Sequence, residues 1–159
     1  MRWTMLDSPI GEFSVATNGD SVCGTHFGPV EHAVTEPVDG VSRQALAELR
    51  AYFAGELSEF GVPVTVLRGS EFERAVWREM TRIPYGETLT YGEVARRVGD
   101  PGAARAVGVA CNRNPIPVIV PCHRIIGAGG KLVGFGGGLD RKIKLLELEA
   151  RVALQRAWS

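Results

Sequence analysis

"TYGEVARRVGDPGAARAVGVACNRN" runs from Thr90 to Asn114 and reads as two short helices around one tight corner. Thr90 and Glu93 have the spacing of a capping box, so a helix is expected from Tyr91 to Val98. Gly99 can close that helix in a left-handed conformation. Asp100-Pro101 is expected to start the next one at once, with Asp100 as cap and Pro101 in the first turn. Two helices linked so closely read as a helix-turn-helix.

The second helix is built from small residues: Ala103, Ala104, Ala106, Gly108 and Ala110. On a buried side they serve close helix packing. On an exposed side they let a backbone press against a surface, and Arg105 is the one long cation in that field. A duplex groove is such a surface, and Arg96, Arg97 and Arg113 lie near enough in sequence to meet phosphates. Many helix-turn-helix pairs bind nothing, so packing and DNA binding both stand at this point.

Upstream, Ser70 and Glu73 form another capping box. The helix it opens carries Phe72, Val76, Trp77 and Met80 as its apolar stripe and stops near Ile83-Pro84-Tyr85-Gly86. Arg68-Gly69-Ser70 reads as a boundary, giving domains 1–68 and 69–159. The first domain reads as strands in "RWTMLDSP", "GEFSVATN" and "DSVCGTHFG", with Asn18-Gly19-Asp20 as a hairpin turn. A helix from about Ser42 to Gly55 follows, then a further strand in "VPVTVL", Val62 to Leu67. The expected class is α+β: a small N-terminal α/β domain with a short antiparallel sheet, then a mostly helical domain with a helix-turn-helix and an active-site strand.

Net charge is zero, yet the chain is asymmetric. Residues 1–86 hold 7 Lys and Arg against 12 Asp and Glu, and residues 87–159 hold 11 against 6. A basic half beside an acidic one hints at a polyanion partner.

Downstream lies "PVIVPCHRIIGAGG", Pro117 to Gly130, which drives an apolar run into Cys122-His123-Arg124 and then into glycines. A buried strand that ends in a thiol beside an imidazole reads as a site. A thiol of ordinary pKa, about 8.5, is only a few per cent thiolate at neutral pH and needs help. On a strand His123 would face away from Cys122, so it reaches the thiol only across a turn or through a water.

Other classes fall away on composition. Cys23, Cys111 and Cys122 fit neither a disulfide framework nor a CxxC clip, and Cys23 with His26 lacks further ligands, so no metal and no cofactor are expected. No apolar run is long enough to span a bilayer, and "MRWTMLDSPIGEF" lacks the order of a signal peptide. A cytoplasmic monomer without membrane contact is expected.

"PCHRIIGAGG", with "NPIPVIVP" before it and "LVGFGGGLDRKIKLLELE" after it, resembles the O6-alkylguanine-DNA alkyltransferases. "IPYGETLTYGEVARRVG" and "GAARAVG" extend the resemblance over Glu71 to Glu149, and the N-terminal part matches loosely. The resemblance implies DNA repair by direct, once-only transfer of an alkyl group from O6-alkylguanine in duplex DNA. O4-alkylthymine is a second candidate lesion. Cys122 would accept the group, His123 would act on it through a water, and Glu149 would orient His123. Asp140 would cap the helix carrying Glu149. Asn114 would brace the turn, Arg105 would fill the gap left by the flipped base, and the small residues would enter the minor groove.

Tyr91 would hydrogen-bond the flipped base. Backbone near Gly136 would donate to O6, and the Cys122 and Ile125 carbonyls would take the exocyclic amine. Phe135 stands where many members have tyrosine and can only stack. Cys111 stands at the pocket edge where others carry a larger apolar residue. Two alternatives remain: an alkyltransferase-like lesion sensor, disfavoured by the presence of Cys122, and a Cys-His hydrolase, which would turn over.

Overall fold

The computed structural model describes residues 1–159, which divide into two compact units, Met1–Leu67 and Arg68–Ser159. No helix is long and apolar enough to cross a membrane.

The first unit is a three-stranded antiparallel sheet with one helix. Strands β1 (Arg2–Ser8), β2 (Gly11–Thr17) and β3 (Val22–Phe27) lie in chain order. Asn18 Oδ1 accepts the Asp20 and Ser21 amides, and Gly19 takes φ 96°, so the expected turn joins β2 to β3. Helix α1 (Gly40–Phe53) covers the sheet and starts earlier than its apolar spacing indicates. Asp39 caps it, accepting the Ser42 amide at 2.7 Å while Ser42 Oγ takes the Asp39 amide. Phe13, Val15, Leu49 and Tyr52 are fully buried, each contributing roughly 1.5–3 kcal/mol.

The segment Val62–Leu67, expected as a strand, is not one. It makes a single parallel bridge, Val22 to Val64, through Val22 N–H to Pro63 O and Thr65 N–H to Val22 O. Pro63 has no N–H to continue a ladder, and the short pairing covers an otherwise open sheet edge.

The second unit is helical. Helix α2 (Glu71–Thr81) opens on the Ser70–Glu73 capping box and buries Val76, Trp77 and Met80. Gly69 (φ 118°) makes room for Trp77: a Cβ there would lie 2.4 Å from the indole. Strand β4 (Leu89–Thr90) leads into α3 (Tyr91–Arg97), capped by Thr90 and Glu93 as expected. Gly99 follows at φ 86°.

Helix α4 (Ala104–Asn112) begins later than expected, and Asp100 does not cap it. Asp100–Ala103 instead forms a turn closed by Ala103 N–H to Asp100 O, and Gly102 weakens any helical start there. The Trp77 indole N–H donates to Ala110 O at 2.8 Å and ties α4 to α2. Strand β5 (Ile125–Ile126) pairs with β4 in parallel, and α5 (Leu139–Ala157) follows. Gly138, not Asp140, sits at its N-cap; Asp140 lies in the first turn, where its charge still suits the helix dipole.

The α+β layout with a helix-turn-helix holds, but the active-site strand needs correction. The run from Pro117 to Pro121 is no ladder strand. Pro115, Pro117 and Pro121 lack N–H donors, so the chain folds back through one bridge, Pro117 to Val120. Cys122–Arg124 is a turn of 3₁₀ helix.

Candidate active site

Asn114 builds the approach to Cys122. Its Oδ1 accepts the Ile116 amide at 3.0 Å and its Nδ2 donates to Val120 O at 2.9 Å. Between them Val118, buried and β-branched, is held at φ 75°. Such a conformation costs on the order of 1–3 kcal/mol and persists only when its surroundings impose it. The 3₁₀ turn then places Cys122, His123 and Arg124 about a third of a turn apart, so the opposed-face geometry of a strand does not apply.

His123 is wholly buried, and its Nε2 lies 2.7 Å from Glu149 Oε2. A carboxylate only accepts, so Nε2 carries the proton and Nδ1 keeps a lone pair. Nδ1 is buried and has no hydrogen-bond partner on the protein. Glu149 also accepts from Arg124 on both oxygens and from the Gly86 amide at 3.4 Å. Gly86 (φ 81°) comes so close to α5 that a Cβ would lie 2.8 Å from Ala153 Cβ.

Burial pushes the Cys122 thiol up to about 11, against the pull of the Asn114 side chain and the Lys142 charge. At neutral pH such a thiol is almost wholly protonated, so it would need a base to act as a nucleophile. Burial is the largest single influence on His123 and lowers it; Glu149 raises it by its hydrogen bond and its charge, Arg124 and Lys142 lower it again, and the balance lies below the ordinary imidazole value. Burial alone would raise Glu149, but its bond from His123 and the Arg124 guanidinium hold it well below the usual carboxylate range. Both shifts favour the neutral forms, a thiol at Cys122 and an imidazole at His123.

Around this centre stand the other expected residues. The Tyr91 hydroxyl donates to Val133 O at 3.2 Å and reaches Gly134 O at 3.4 Å, so it touches the glycine-rich segment. Burial, then the nearby Cys111 and Cys122, raise it to about 12. Gly136 lies beside the Asn112 carbonyl. The Ile125 carbonyl already accepts Lys142 Nζ at 2.6 Å, which leaves it one lone pair. Phe135 faces the same ammonium at 5.9 Å. Cys111 is buried, and its thiol is raised by burial and by the neighbouring Cys122.

On the helix-turn-helix, Arg105, Ala106, Val109 and Asn112 form the exposed face of α4, with Arg113 exposed at its C-cap and Arg96 and Arg97 exposed on α3. Ala103, Ala104 and Gly108 are half-buried. Gly108 sits against the Tyr91 ring, so here the small residue serves helix packing. Arg105, Arg96 and Arg97 form no ion pair, whereas Arg113 pairs with Glu73 at 3.2 Å.

Residues 71–151 match the family described as 6-O-methylguanine DNA methyltransferase, DNA binding domain, and residues 1–66 match its ribonuclease-like domain. The chain belongs to the 6-O-methylguanine DNA methyltransferase family. The methylated-DNA–protein-cysteine methyltransferase of Mycobacterium leprae is 49% identical over 153 residues, covering 94% of this chain and 92% of its own. That of Methanosarcina acetivorans is 46% identical over 94% of this chain and 98% of its own. Mycobacterium tuberculosis OGT, crystallised in complex with DNA, superposes with a TM-score of 0.87 at 46% identity, over 96% of this chain and 94% of the other.

In this 6-O-methylguanine DNA methyltransferase family chain, three residues of the site carry no expectation from sequence. Arg124 stands inside the Cys-His-Arg triplet without an assigned task. Lys142 is buried on α5, where its Nζ donates to Ile125 O and Val133 O. Gly86 supplies an amide to Glu149. The legible signal is Lys142, Leu145, Glu149 and Val152, two charges on the buried stripe of one amphipathic helix.

Proposed function

We propose that this protein repairs alkylated DNA by moving the alkyl group of O6-alkylguanine onto Cys122. The observation that carries the reading is His123, next in the chain to Cys122, fixed by Glu149 at Nε2 and left with a buried, unpartnered Nδ1. The methylated-DNA–protein-cysteine methyltransferases among its relatives and the DNA complex of the M. tuberculosis protein support it.

The lesion reaches the site by leaving the base stack. The α4 face enters the minor groove of duplex DNA, Arg105 fills the space vacated by the flipped nucleotide, and Arg96 and Arg97 meet phosphates. Ala103, Ala104 and Ala106 keep the helix slim on this side, while Gly108 seats it against Tyr91, and Arg113 joins the phosphate contacts from its pair with Glu73. Inside, the guanine lies against Tyr91, Phe135 and Cys111, with backbone at Gly136, Cys122 and Ile125 reading its polar edge.

The Cys122 proton passes through a bridging water to His123 Nδ1 as the sulfur attacks the alkyl carbon in line. The S–C bond forms, the C–O6 bond breaks, and guanine leaves with the electron pair, to be protonated afterwards. The thioether stays on the protein, so each molecule acts once. The reaction takes no cofactor, and the protein works as a cytoplasmic monomer.

The test is incubation with a duplex holding one O6-methylguanine, followed by intact mass and peptide mapping. One added methyl group on Cys122, absent in Cys122→Ser, is the expected result. Repeated release of product, or methylation of Cys111 or Cys23 instead, overturns the reading.

A further inference from the structure

Arg124 is a buried cation held by three hydrogen bonds. Its Nε donates to Glu149 Oε1 at 2.7 Å, its Nη2 to Glu149 Oε2 at 3.0 Å, and its Nη1 to the Ile83 carbonyl at 2.7 Å. The guanidinium lies 5.5 Å from the centre of the Tyr85 ring, which also holds Arg156 at 5.5 Å. Planar and permanently charged, it matches the carboxylate with two parallel donors as lysine cannot.

The same Glu149 oxygen, Oε2, serves both Arg124 Nη2 and His123 Nε2. Its one negative charge is therefore already matched when the imidazole docks. A proton on Nδ1 would make the buried cluster net positive, with Lys142 adding a further positive charge from α5. We propose that Arg124 is a positioning residue of the transfer reaction: by cancelling the charge of Glu149 it keeps His123 a neutral Nε2–H imidazole, with the Nδ1 lone pair ready for the Cys122 proton. This rests on the function proposed above.

The groups facing His123 are few. Glu149 and Lys142 come from α5, and Arg124 and Cys122 come from its own turn. Tyr85, from the segment after α2, faces Glu149 and is flanked by Arg124, Arg151 and Arg156. Only Glu149 favours a charged imidazole, and Arg124 is the group that offsets it through direct hydrogen bonds. Without Arg124, the carboxylate would draw a proton onto Nδ1, and an imidazolium cannot serve as the base.

Single-turnover methyl transfer is measured from pH 6 to 9 and expressed as a ratio to the parent at each pH. Arg124→Met should be slowed roughly tenfold or more at pH 7 and recover toward the parent at high pH, as the extra proton leaves His123. Arg124→Lys, which keeps the charge, should retain the parent's pH profile. Arg124→Met/Glu149→Gln, which removes both charges, should lose the new acid limb even if its rate stays low. A loss in Arg124→Met that is equal at every pH would make Arg124 architectural and overturn the proposal.

The state of His123 is also read directly by NMR of the imidazole in the parent protein, without any transfer. The expected signature at pH 7 is a neutral ring protonated at Nε2. An imidazolium there overturns the proposal even if Arg124→Met fails to fold. A parent protein that shows the neutral ring but transfers no methyl group would instead refute the function and leave the charge balance standing.

Discussion

The Asn114 side chain donates to the Val120 carbonyl at 2.9 Å and so closes the bend that ends at Cys122. Its other end takes the Ile116 amide, and one residue thereby holds both arms of a loop that contains the strained Val118. Asn114→Ala should cost about 1–3 kcal/mol, since it frees two buried backbone groups. It should also slow transfer, because the thiol loses a donor that favours its ionised form. Thermal unfolding and single-turnover rates check both; an unchanged melting temperature with a parental rate would dismiss the brace.

His123→Phe or Glu149→Gln should slow the chemical step by roughly 10²–10⁴-fold, the usual effect of losing a base or its orienter. Affinity for duplex DNA should stay near the parent's, because both side chains are buried and offer no surface to a duplex. Rates within a few-fold of the parent would remove His123 from the proton path.

Arg105→Ala should impair repair in duplex DNA far more than reaction with free O6-benzylguanine. The free base leaves no stack to be filled, whereas in duplex DNA the filling offsets a few kcal/mol of unstacking. Arg96→Ala or Arg97→Ala should lower affinity modestly and flatten its salt dependence. Equal loss of both activities in Arg105→Ala would withdraw the flipping role.

The pH dependence of stability follows from His123. Burial holds it below its ordinary value of 6.5. The unfolded chain therefore binds the proton first, and stability is full above pH 6.5 and falls as the pH drops below it. The slope should not exceed about 1.4 kcal/mol per pH unit from this residue. A further loss should begin near pH 4.5, as the unfolded form of Glu149 takes its proton while the folded one resists. Denaturant unfolding at pH 8, 6 and 5 tests the first limb, which His123→Phe should abolish.

The local signals in the chain were legible where backbone chemistry decides alone. Asn18-Gly19, Ser70 with Glu73, and Thr90 with Glu93 act within four residues, and the turn and both helix starts lie where they point. Asp100-Pro101 misled because Gly102 follows, and Asp140 because Gly138 already opens α5. "PVIVP" reads as a strand by residue type, yet its prolines leave too few donors for a ladder. Arg124 and Lys142 were hidden for another reason. Charged side chains are ordinarily solvated, and only the folded arrangement shows which of them are walled in.

Helix α5 has a consequence for the order in which the molecule is made. It brings both Glu149 and Lys142 to a centre whose thiol, imidazole and guanidinium are encoded earlier in the chain. A polypeptide still on the ribosome thus carries its cysteine before it carries the carboxylate that orients the histidine. Methylation competence should arrive in one step, only when the last turn needed to seat Glu149 has emerged.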